Sequence, residues 1–235
     1  MITETQFPFL AEKGHIVSLV GGGGKTTLLY AMAVHCSRKG WRVLVTTTTH
    51  ILRPAADLWA HTEAELEALW AAGNYAVAGI PAPENKLTGL PEPQRTAWMA
   101  RADVVFVEAD GAKHFPCKAP AAHEPVLPPQ SDIVLAVAGL SAMDKPLQEV
   151  CFRWEQALSW LPDAAPESIV TPALLARLLA DERGGRKQVG DRQFYAVLNQ
   201  ADTPEREYFG QQTRALLQQR GVPCFLTQFK EGERA

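Results

Sequence analysis

A glycine-rich turn constrains the fold of this chain more than any other feature. Residues 20–27 read Val-Gly-Gly-Gly-Gly-Lys-Thr-Thr, between the β-branched run His15–Val20 and a helical pattern over Thr26–Lys39. Glycine lets the backbone take positive φ and approach phosphate oxygens closely, and a helix N-terminus adds partial positive charge there. The turn therefore predicts a nucleotide phosphate site built from Gly21, Gly22, Gly23, Gly24, Lys25, Thr26 and Thr27.

Lys25 and Thr26 have separate expected tasks in this loop. The Lys25 ammonium is expected to reach the β- and γ-phosphates as a catalytic group, and the Thr26 hydroxyl to ligate Mg²⁺. The common G-x-x-x-x-G-K-[ST] spacing requires glycine at position 19, where this chain has Leu19, so the loop is the shorter G-x-x-G-K-T. A similar short loop occurs in Mur-ligase-type ATPases, so the class of nucleotide enzyme stays open.

The order of strand and helix patterns predicts an α/β fold, a doubly wound, mostly parallel sheet of P-loop NTPase type with three layers. Strands are predicted at His15–Val20, Arg42–Thr47, Tyr75–Ile80, Asp103–Val107, Ile133–Ala138, Phe194–Leu198 and Pro223–Thr227. Helices are predicted at Thr26–Lys39, Glu63–Ala72, Glu92–Arg101, Gln148–Trp160, Pro172–Leu179 and Pro204–Arg220.

Length and proline content set the expected domain organisation. The chain has 235 residues, which is enough to bury one sizeable core, so a single domain over 1–235 is expected. Prolines preclude long helices or central strands in 81–93 and 111–131, which are predicted to be irregular loops. The segment 230–235 is predicted to be a short flexible tail.

Charge and hydropathy exclude several partners. The net charge is -3, so no global positive field collects phosphate backbones, and nucleic acid is not an expected partner. Apolar runs are far shorter than the roughly 20 residues of a membrane-spanning helix, so no membrane partner is expected. The first residues lack the layout of a signal peptide and the cysteines form no C-x-x-C pair, which favours a cytoplasmic protein.

Two carboxylates follow an apolar predicted strand. Glu108 and Asp110 follow the run Val104–Val107, at the carboxyl edge where α/β sheets bind ligands. One acid can hold Mg²⁺ through water and the other can orient an attacking water. Asp110 is the first choice for the metal and Glu108 for water or substrate, and both are candidate catalytic residues.

Polar residues at a second strand end and in the proline-rich loop are further candidates. Thr48 and Thr49 could contact the γ-phosphate or its metal, although threonine also simply favours strands. Lys113 and Lys118 could hold an anion. His114 and Cys117, with the later His123 and Glu124, could hold a soft metal, but their spacing matches no standard zinc site.

The four letters Asn199-Gln200-Ala201-Asp202 end a late predicted strand and are similar to the N-K-x-D motif of GTP-binding proteins. A carboxylate such as Asp202 can accept hydrogen bonds from guanine N1–H and N2–H, which adenine lacks. Asn199 and Asp202 are therefore predicted to read the base. The same residues, followed by Thr-Pro, also form an ordinary helix-start signal, so ATP and GTP both remain open.

Five motifs occur in order along the chain: V-G-G-G-G-K-T-T-L, T-T-T-T-H-I, K-L-T-G-L-P, V-E-A-D-G-A-K and K-A-P-A-A-H-E-P-V. With them the chain resembles the YqeC family, described as accessory proteins of selenium-dependent hydroxylases, from about Ile16 to Asp202. The resemblance implies a P-loop nucleoside triphosphatase with Mg²⁺ and ATP or GTP. It also implies substrate or partner contacts at Lys86, Lys113, Lys118, His123 and Glu124.

The expected function follows from the loop and the resemblance together. It is Mg-dependent nucleotide binding and slow hydrolysis in the maturation of selenium-dependent molybdenum hydroxylases of the xanthine-dehydrogenase type. Such a hydroxylase, or its cofactor-maturation proteins, is the expected partner. One alternative is an ATP-dependent phosphotransferase or ligase acting on a small molecule. Another is a nucleotide-gated carrier of a cofactor or selenium species without catalysis.

Overall fold

The computed structural model describes residues 2–54 and 56–229. In this part of the chain the strands are β1 Ile16–Gly21, β2 Val43–Thr47, β3 His50–Leu52, β4 Trp59–Ala60, β5 Ala76–Ala78, β6 Ile80–Ala82, β7 Lys86–Thr88, β8 Val104–Glu108, β9 Cys117–Lys118, β10 Ile133–Gly139, β11 Cys151–Phe152, β12 Gln193–Asn199 and β13 Cys224–Leu226. The α-helices are α1 Lys25–Arg38, α2 Glu63–Ala71, α3 Glu92–Met99, α4 Leu147–Val150, α5 Trp154–Leu158, α6 Pro172–Ala180 and α7 Pro204–Gln219.

Eight strands form one sheet in the order β13-β12-β10-β1-β8-β2-β5-β4, and every pair of neighbours is parallel. The chain first fills the side of β1 that holds β8, β2, β5 and β4. It then crosses to the other side with β10, β12 and β13. The direction of winding therefore reverses at β1, and the crevice beyond the carboxyl end of β1 is the place where sheets of this kind bind ligands.

Helices cover both faces of this sheet. On one face, Leu28 and Met32 of α1 pack with Val17 and Leu19 of β1. On the opposite face, α6 and α7 pack over β10 and β12, and α2 and α3 pack over β2 and β8. Because both faces are buried, β8 and β10 are apolar runs without alternation. The predicted three-layer α/β architecture is confirmed.

Local signals explain where three helices begin. Thr62 caps α2 in a capping box with Glu65. Thr171 and Thr203 accept a backbone hydrogen bond at the start of α6 and α7, and proline follows each at the first helical position. These threonines satisfy N–H groups that would otherwise lack partners in the first turn.

The predicted helix over Gln148–Trp160 is wrong as a continuous element. It is broken into α4 and α5 by β11, whose Cys151 and Phe152 pair in parallel with Cys117 and Lys118 of β9. Arg153 then takes a left-handed conformation with φ 60°. The helical periodicity predicted one helix because periodicity is a local property. It carries no information about pairing with a strand more than 30 positions away.

The predicted irregular loop 81–93 is also wrong in part. Two antiparallel pairings join β3, β7 and β6 into a separate three-stranded sheet, and α3 begins at Glu92. Pro81 lies on the edge strand β6, where a missing N–H breaks no ladder. The predicted strand Tyr75–Ile80 is correspondingly split into β5 and the start of β6. The loop 111–131 contains only the two-residue strand β9.

The tail, the cysteines and the length of the helices complete the description of the chain. The tail 230–235 lies outside the described residues. The four cysteines, Cys36, Cys117, Cys151 and Cys224, are free and buried. Among the described helices, none has the length and apolar character needed to cross a membrane.

Candidate functional site

The glycine turn lies at the carboxyl end of β1 and leads directly into α1. Gly24 caps the helix in a left-handed conformation with φ 99°. Gly21 and Gly23 also have positive φ, and a Cβ on them would lie 2.3 Å from the Val137 carbonyl oxygen and 2.0 Å from the Gly139 nitrogen. The turn therefore packs against the end of β10 so closely that only glycine fits.

Lys25 is buried at the bottom of this turn, with 4% of its surface exposed. Its Nζ donates to the Gly21 carbonyl at 2.6 Å and lies 3.1 Å from Asp110 Oδ1 and 4.0 Å from Glu108 Oε1. Burial by itself lowers the pKa of Lys25, but Asp110 and Glu108 outweigh it and hold the pKa above its ordinary value. Lys25 is therefore a charged ammonium at the start of α1.

Glu108 joins the end of β8 to the start of α1. Its Oε2 accepts a 2.8 Å hydrogen bond from the Thr26 hydroxyl. Burial raises the pKa of Glu108 above its ordinary value, although Lys25 and the Thr26 hydrogen bond partly oppose this. A hydroxyl and a carboxylate oxygen thus lie side by side at the entrance of the turn.

Asp110 is hydrogen-bonded to the first glycine of the turn. Its Oδ2 accepts the Gly21 N–H at 2.9 Å and lies 3.1 Å from Lys118 Nζ. Its Oδ1 is buried and accepts no well-directed hydrogen bond from any described residue, although Lys25 Nζ lies nearby. A buried oxygen of this kind can accept a further partner.

These oxygens fit a Mg²⁺ ion that is shared with a nucleotide. Mg²⁺ in nucleotide sites takes one or two protein oxygens and completes its shell with water and phosphate. Thr26 and Glu108 provide that pair, and Asp110 keeps one oxygen without a hydrogen bond. Among the described residues no group of three histidine, cysteine or acidic side chains could hold a metal on its own, so the donors fit a shared ion better than a closed protein cage.

A chain of alternating charges runs from Asp110 into the proline-rich loop. Lys118 Nζ lies 3.1 Å from Asp110 Oδ2 and 2.7 Å from Glu124 Oε2. Arg153 contacts the same Glu124 oxygen at 2.5 Å. Burial alone raises the pKa of Glu124, but hydrogen bonds from Lys118 and Ala121 N–H, with Arg153 nearby, bring the pKa below its ordinary value. Each acid of this network, Asp110 and Glu124, is therefore in contact with at least one cation.

The glycine turn opens on two cavities. The larger has a volume of about 510 Å³ and lies on the side of Lys25 and Glu108. The residues that line it beyond the glycine turn include His50, Leu52, Glu84, Lys86, Lys113, His114, Phe115, Glu124, Phe152 and Arg153. The predicted substrate contacts Lys86, Lys113 and Glu124 therefore share one cavity with the glycine turn.

The smaller cavity has a volume of about 350 Å³ and lies on the other side of Gly24. Its lining includes Thr27, Asn199, Gln200, Asp202 and Arg206. The predicted base-reading residues Asn199 and Asp202 thus line one cavity with Gly24 and Thr27 of the glycine turn.

Asn199 and Asp202 differ in their burial and in the hydrogen bonds that they make. Asn199 is buried, with Nδ2 donating to the Gly23 carbonyl at 2.9 Å and Oδ1 accepting from Thr227 Oγ1 at 3.0 Å. It therefore ties the glycine turn to the segment after β13. Asp202 is exposed at the mouth of the smaller cavity and pairs with Arg206 at 2.6 Å.

The remaining predicted contacts lie farther from the loop. Thr48 donates to the Val126 carbonyl at 2.7 Å, and the Thr49 N–H donates to Thr47 Oγ1 at 3.0 Å. His123 is exposed. These three residues are absent from the linings of the two cavities described above. Lys118 is buried and engaged with Asp110 and Glu124, so it acts within the charged network.

Sequence reasoning missed several lining residues. Phe152 and Arg153 lie within the predicted helix Gln148–Trp160, and nothing in their sequence spacing indicates that they line a cavity. Arg206 lies in the first turn of α7, where an Asp202–Arg206 pair at i, i+4 is a recognisable signal. His50 follows the threonine run and could have been singled out by that position.

Comparison with known proteins identifies the family of this chain. The model of the family described as YqeC protein matches residues 17–155, which include the glycine turn, the acidic strand end and Arg153. The YqeC protein of Escherichia coli (strain K12) is 32% identical over 182 residues, covering 74% of this chain and 71% of that protein. The solved structure of HypB from Helicobacter pylori in complex with nickel is similar over 96% of this chain and 83% of that one, with a TM-score of 0.42 and 12% identity. On the family match and the identity to the bacterial relative, the chain belongs to the YqeC family.

Proposed function

We propose that this protein binds a Mg²⁺–nucleoside triphosphate, ATP or GTP, across Gly21–Thr27 and hydrolyses it slowly. One observation carries the proposal: Lys25 and Thr26, consecutive in the glycine turn, contact Asp110 and Glu108 at the end of the neighbouring strand. A buried lysine, a hydroxyl and two carboxylates at the N-terminus of a helix are the groups that phosphoryl chemistry with Mg²⁺ uses.

The contacts suggest a task for each group. Lys25 turns from the Gly21 carbonyl and Asp110 toward the β- and γ-phosphates. Thr26 and Glu108 would hold the ion, which would neutralise phosphate charge. Asp110 keeps the Gly21 N–H and Lys118 in place, and its second oxygen would accept a hydrogen bond from a bound water once Lys25 turns away. This assigns Glu108 a place nearer to the ion than the sequence predicted.

The smaller cavity is the proposed base site. Gly24 and Thr27 line it, and the exposed Asp202 carboxylate lies at its mouth. A base seated there would leave the larger cavity free at the γ-phosphate end of the nucleotide.

The biological role is proposed from the family. Under this proposal nucleotide hydrolysis resets a binding cycle in the maturation of selenium-dependent molybdenum hydroxylases. The hydroxylase or its maturation proteins would dock on the loops 81–93 and 111–131, and the protein would act in the cytoplasm. Stimulation of nucleotide turnover by such a hydroxylase is the expected result.

The larger cavity favours a second candidate function. About 510 Å³ beside Lys25 is more room than a γ-phosphate needs. This observation favours ATP-dependent phosphotransfer to, or ligation of, a small molecule. Turnover that requires such a molecule, with little phosphate release in its absence, would favour this candidate over hydrolysis.

Phosphate release with ATP and with GTP, each with and without Mg²⁺, tests the proposal. We expect slow Mg-dependent release, and we expect Thr26→Val to lower it about 100-fold because the ion loses its protein hydroxyl. Thr96→Val is the matched control, since Thr96 is a half-buried residue of α3 that hydrogen-bonds Glu92 and is not among the residues that line the two cavities. Equal release by the wild type and Thr26→Val would contradict the assigned site.

A further inference from the structure

Left-handed backbone is concentrated around the larger cavity. Of the eight non-glycine residues with positive φ in the described part of the chain, four line this cavity: Glu84, Lys113, His114 and Arg153. A side chain makes this conformation unfavourable, and it occurs at tight turns and at ligand-binding sites. Glu84 lies in the connection between β6 and β7, and Lys113 and His114 lie in a turn closed by the Phe115 N–H and the Ala112 carbonyl. The cavity wall is therefore formed in part by tight turns that hold these side chains in place.

One cation in this wall has no acidic partner. Outside the phosphate loop, Glu84 pairs with Lys86, and Glu124 pairs with Arg153. Lys113 is exposed and forms no ion pair with a described residue. The wall thus has one positive charge left for an incoming anion, and the Arg153 guanidinium, which has five donors, has capacity beyond its contact with Glu124.

An aromatic ring lies beneath these cations. The Arg153 guanidinium lies 4.4 Å and the Lys113 Nζ 5.5 Å from the centre of the Phe152 ring. Phe115 stacks on Phe152 with 5.7 Å between ring centres. Because these side chains pack around the ring, Phe152 is poorly placed to stack a nucleotide base and serves better as an apolar wall. Leu52, 46% exposed, adds further apolar surface to the lining.

We propose that the larger cavity binds a second ligand, a small organic anion that carries a carboxylate or phosphate on an apolar body. Its anionic group lies at Lys113 and Arg153, and its body packs against Phe152 and Leu52. The placement of this ligand next to the γ-phosphate rests on the proposed function, because it requires the nucleotide phosphates to lie at Lys25. The binding site itself requires only the cavity and its cations.

Titration with phenyl phosphate tests the proposal. The wild type is titrated alone and when saturated with Mg²⁺ and a non-hydrolysable analogue of ATP or GTP. We expect saturable binding in both states, about tenfold tighter than that of inorganic phosphate, because the ring adds apolar contact, and tighter than that of uncharged benzyl alcohol.

Three glycine variants locate the binding. Lys113→Gly and Arg153→Gly remove the cations and place glycine where the backbone is already left-handed, so the fold is expected to persist. Each is expected to weaken phenyl phosphate about tenfold, the effect of losing one charge-assisted contact. Gln188→Gly is the matched control, since Gln188 is left-handed with φ 61° and exposed, and is not among the residues that line the cavity.

The outcomes separate the two proposals. Absent binding of phenyl phosphate, equal binding of inorganic phosphate, or unchanged binding in both cation variants would overturn the second site. Displacement of phenyl phosphate by the analogue, or weakened analogue binding in the two variants, would assign the cavity to the nucleotide itself and also overturn it. Failure of the analogue to bind would instead reject the proposed function, while the titration of the nucleotide-free protein would still decide the second site.

Discussion

Thr26 donates a 2.8 Å hydrogen bond to Glu108, which joins the first turn of α1 to the last residue of β8. The two residues are 82 positions apart in the chain. The parallel pairing of β8 with β1 brings the acidic strand end beside the glycine turn. The candidate site therefore depends on the order of strands in the sheet, because Glu108 reaches Thr26 only if β8 lies next to β1.

Glu108→Gln is expected to separate binding from turnover. Glutamine keeps the shape and an oxygen that can accept from Thr26, but it removes the charge that the ion needs. Mg-dependent phosphate release should fall about 100-fold while nucleotide affinity changes little. Release measured over a range of Mg²⁺ concentrations checks this, with the exposed Glu149→Gln as control. Full turnover in Glu108→Gln would remove Glu108 from the catalytic machinery.

Glu124→Gln is expected to destabilise the fold in a pH-dependent way. The pKa of Glu124 is below its ordinary value in the folded protein, so its contribution to stability is present above the unfolded-state pKa. That contribution is lost as pH falls through the folded-state pKa. At pH 7 the substitution should cost on the order of 3 kcal/mol, because Lys118 and Arg153 lose their shared partner.

Thermal unfolding between pH 3 and pH 7 measures this effect (a range set by the ordinary carboxyl pKa of about 4). The difference in Tm between the wild type and Glu124→Gln should be largest near neutral pH and shrink in acid. Glu155→Gln, an exposed position on α5, provides the comparison. A difference that stays constant over the whole pH range would show that charge is not its origin.

Asp202→Asn is expected to lower the ratio of GTP affinity to ATP affinity. A carboxylate at the base site accepts two hydrogen bonds from guanine, whereas an amide replaces one acceptor by a donor. The ratio should change by about tenfold or more, and it is obtained from calorimetric titrations of the Mg²⁺ complexes. Asp163→Asn, an exposed acid paired with Arg177, is the control. An unchanged ratio would mean that the base does not contact Asp202.

Asn199→Ala is expected to weaken ATP and GTP equally. Asn199 holds the Gly23 carbonyl and accepts from Thr227, so its loss loosens the glycine turn and leaves buried groups without partners. The expected cost is about 1 to 3 kcal/mol of stability. Affinities for both nucleotides, with a parallel unfolding curve, check this. A selective loss of GTP would instead mark Asn199 as a base-reading residue.

Much of the fold was predictable because the parallel strands are buried on both faces. The runs Val104–Val107 and Ile133–Ala138 are apolar without alternation, and β8 and β10 each lie within one residue of their predicted bounds. The glycine turn was predictable for a different reason, since its spacing and its position between a strand and a helix are both local.

The part that could not be predicted depends on distant pairing. β9 pairs with β11, and β3 pairs with β7, across more than 30 residues in each case. Both pairings involve strands of two or three residues, which are too short to show periodicity. The placement of Arg153 at the cavity, and of Lys118 between two acids, follows from these contacts. The roles assigned to individual site residues stay predictions.

The most direct measurement is a calorimetric titration of the protein with Mg-ATP and Mg-GTP, repeated with Lys25→Ala. Lys145→Ala serves as the matched control, since Lys145 is exposed and is not among the residues that line the two cavities. The account predicts that wild type and Lys145→Ala bind at least one nucleotide equally, and that Lys25→Ala, with its circular dichroism spectrum unchanged, loses that binding. Unchanged affinity in Lys25→Ala would contradict the central claim that the phosphates lie at this turn.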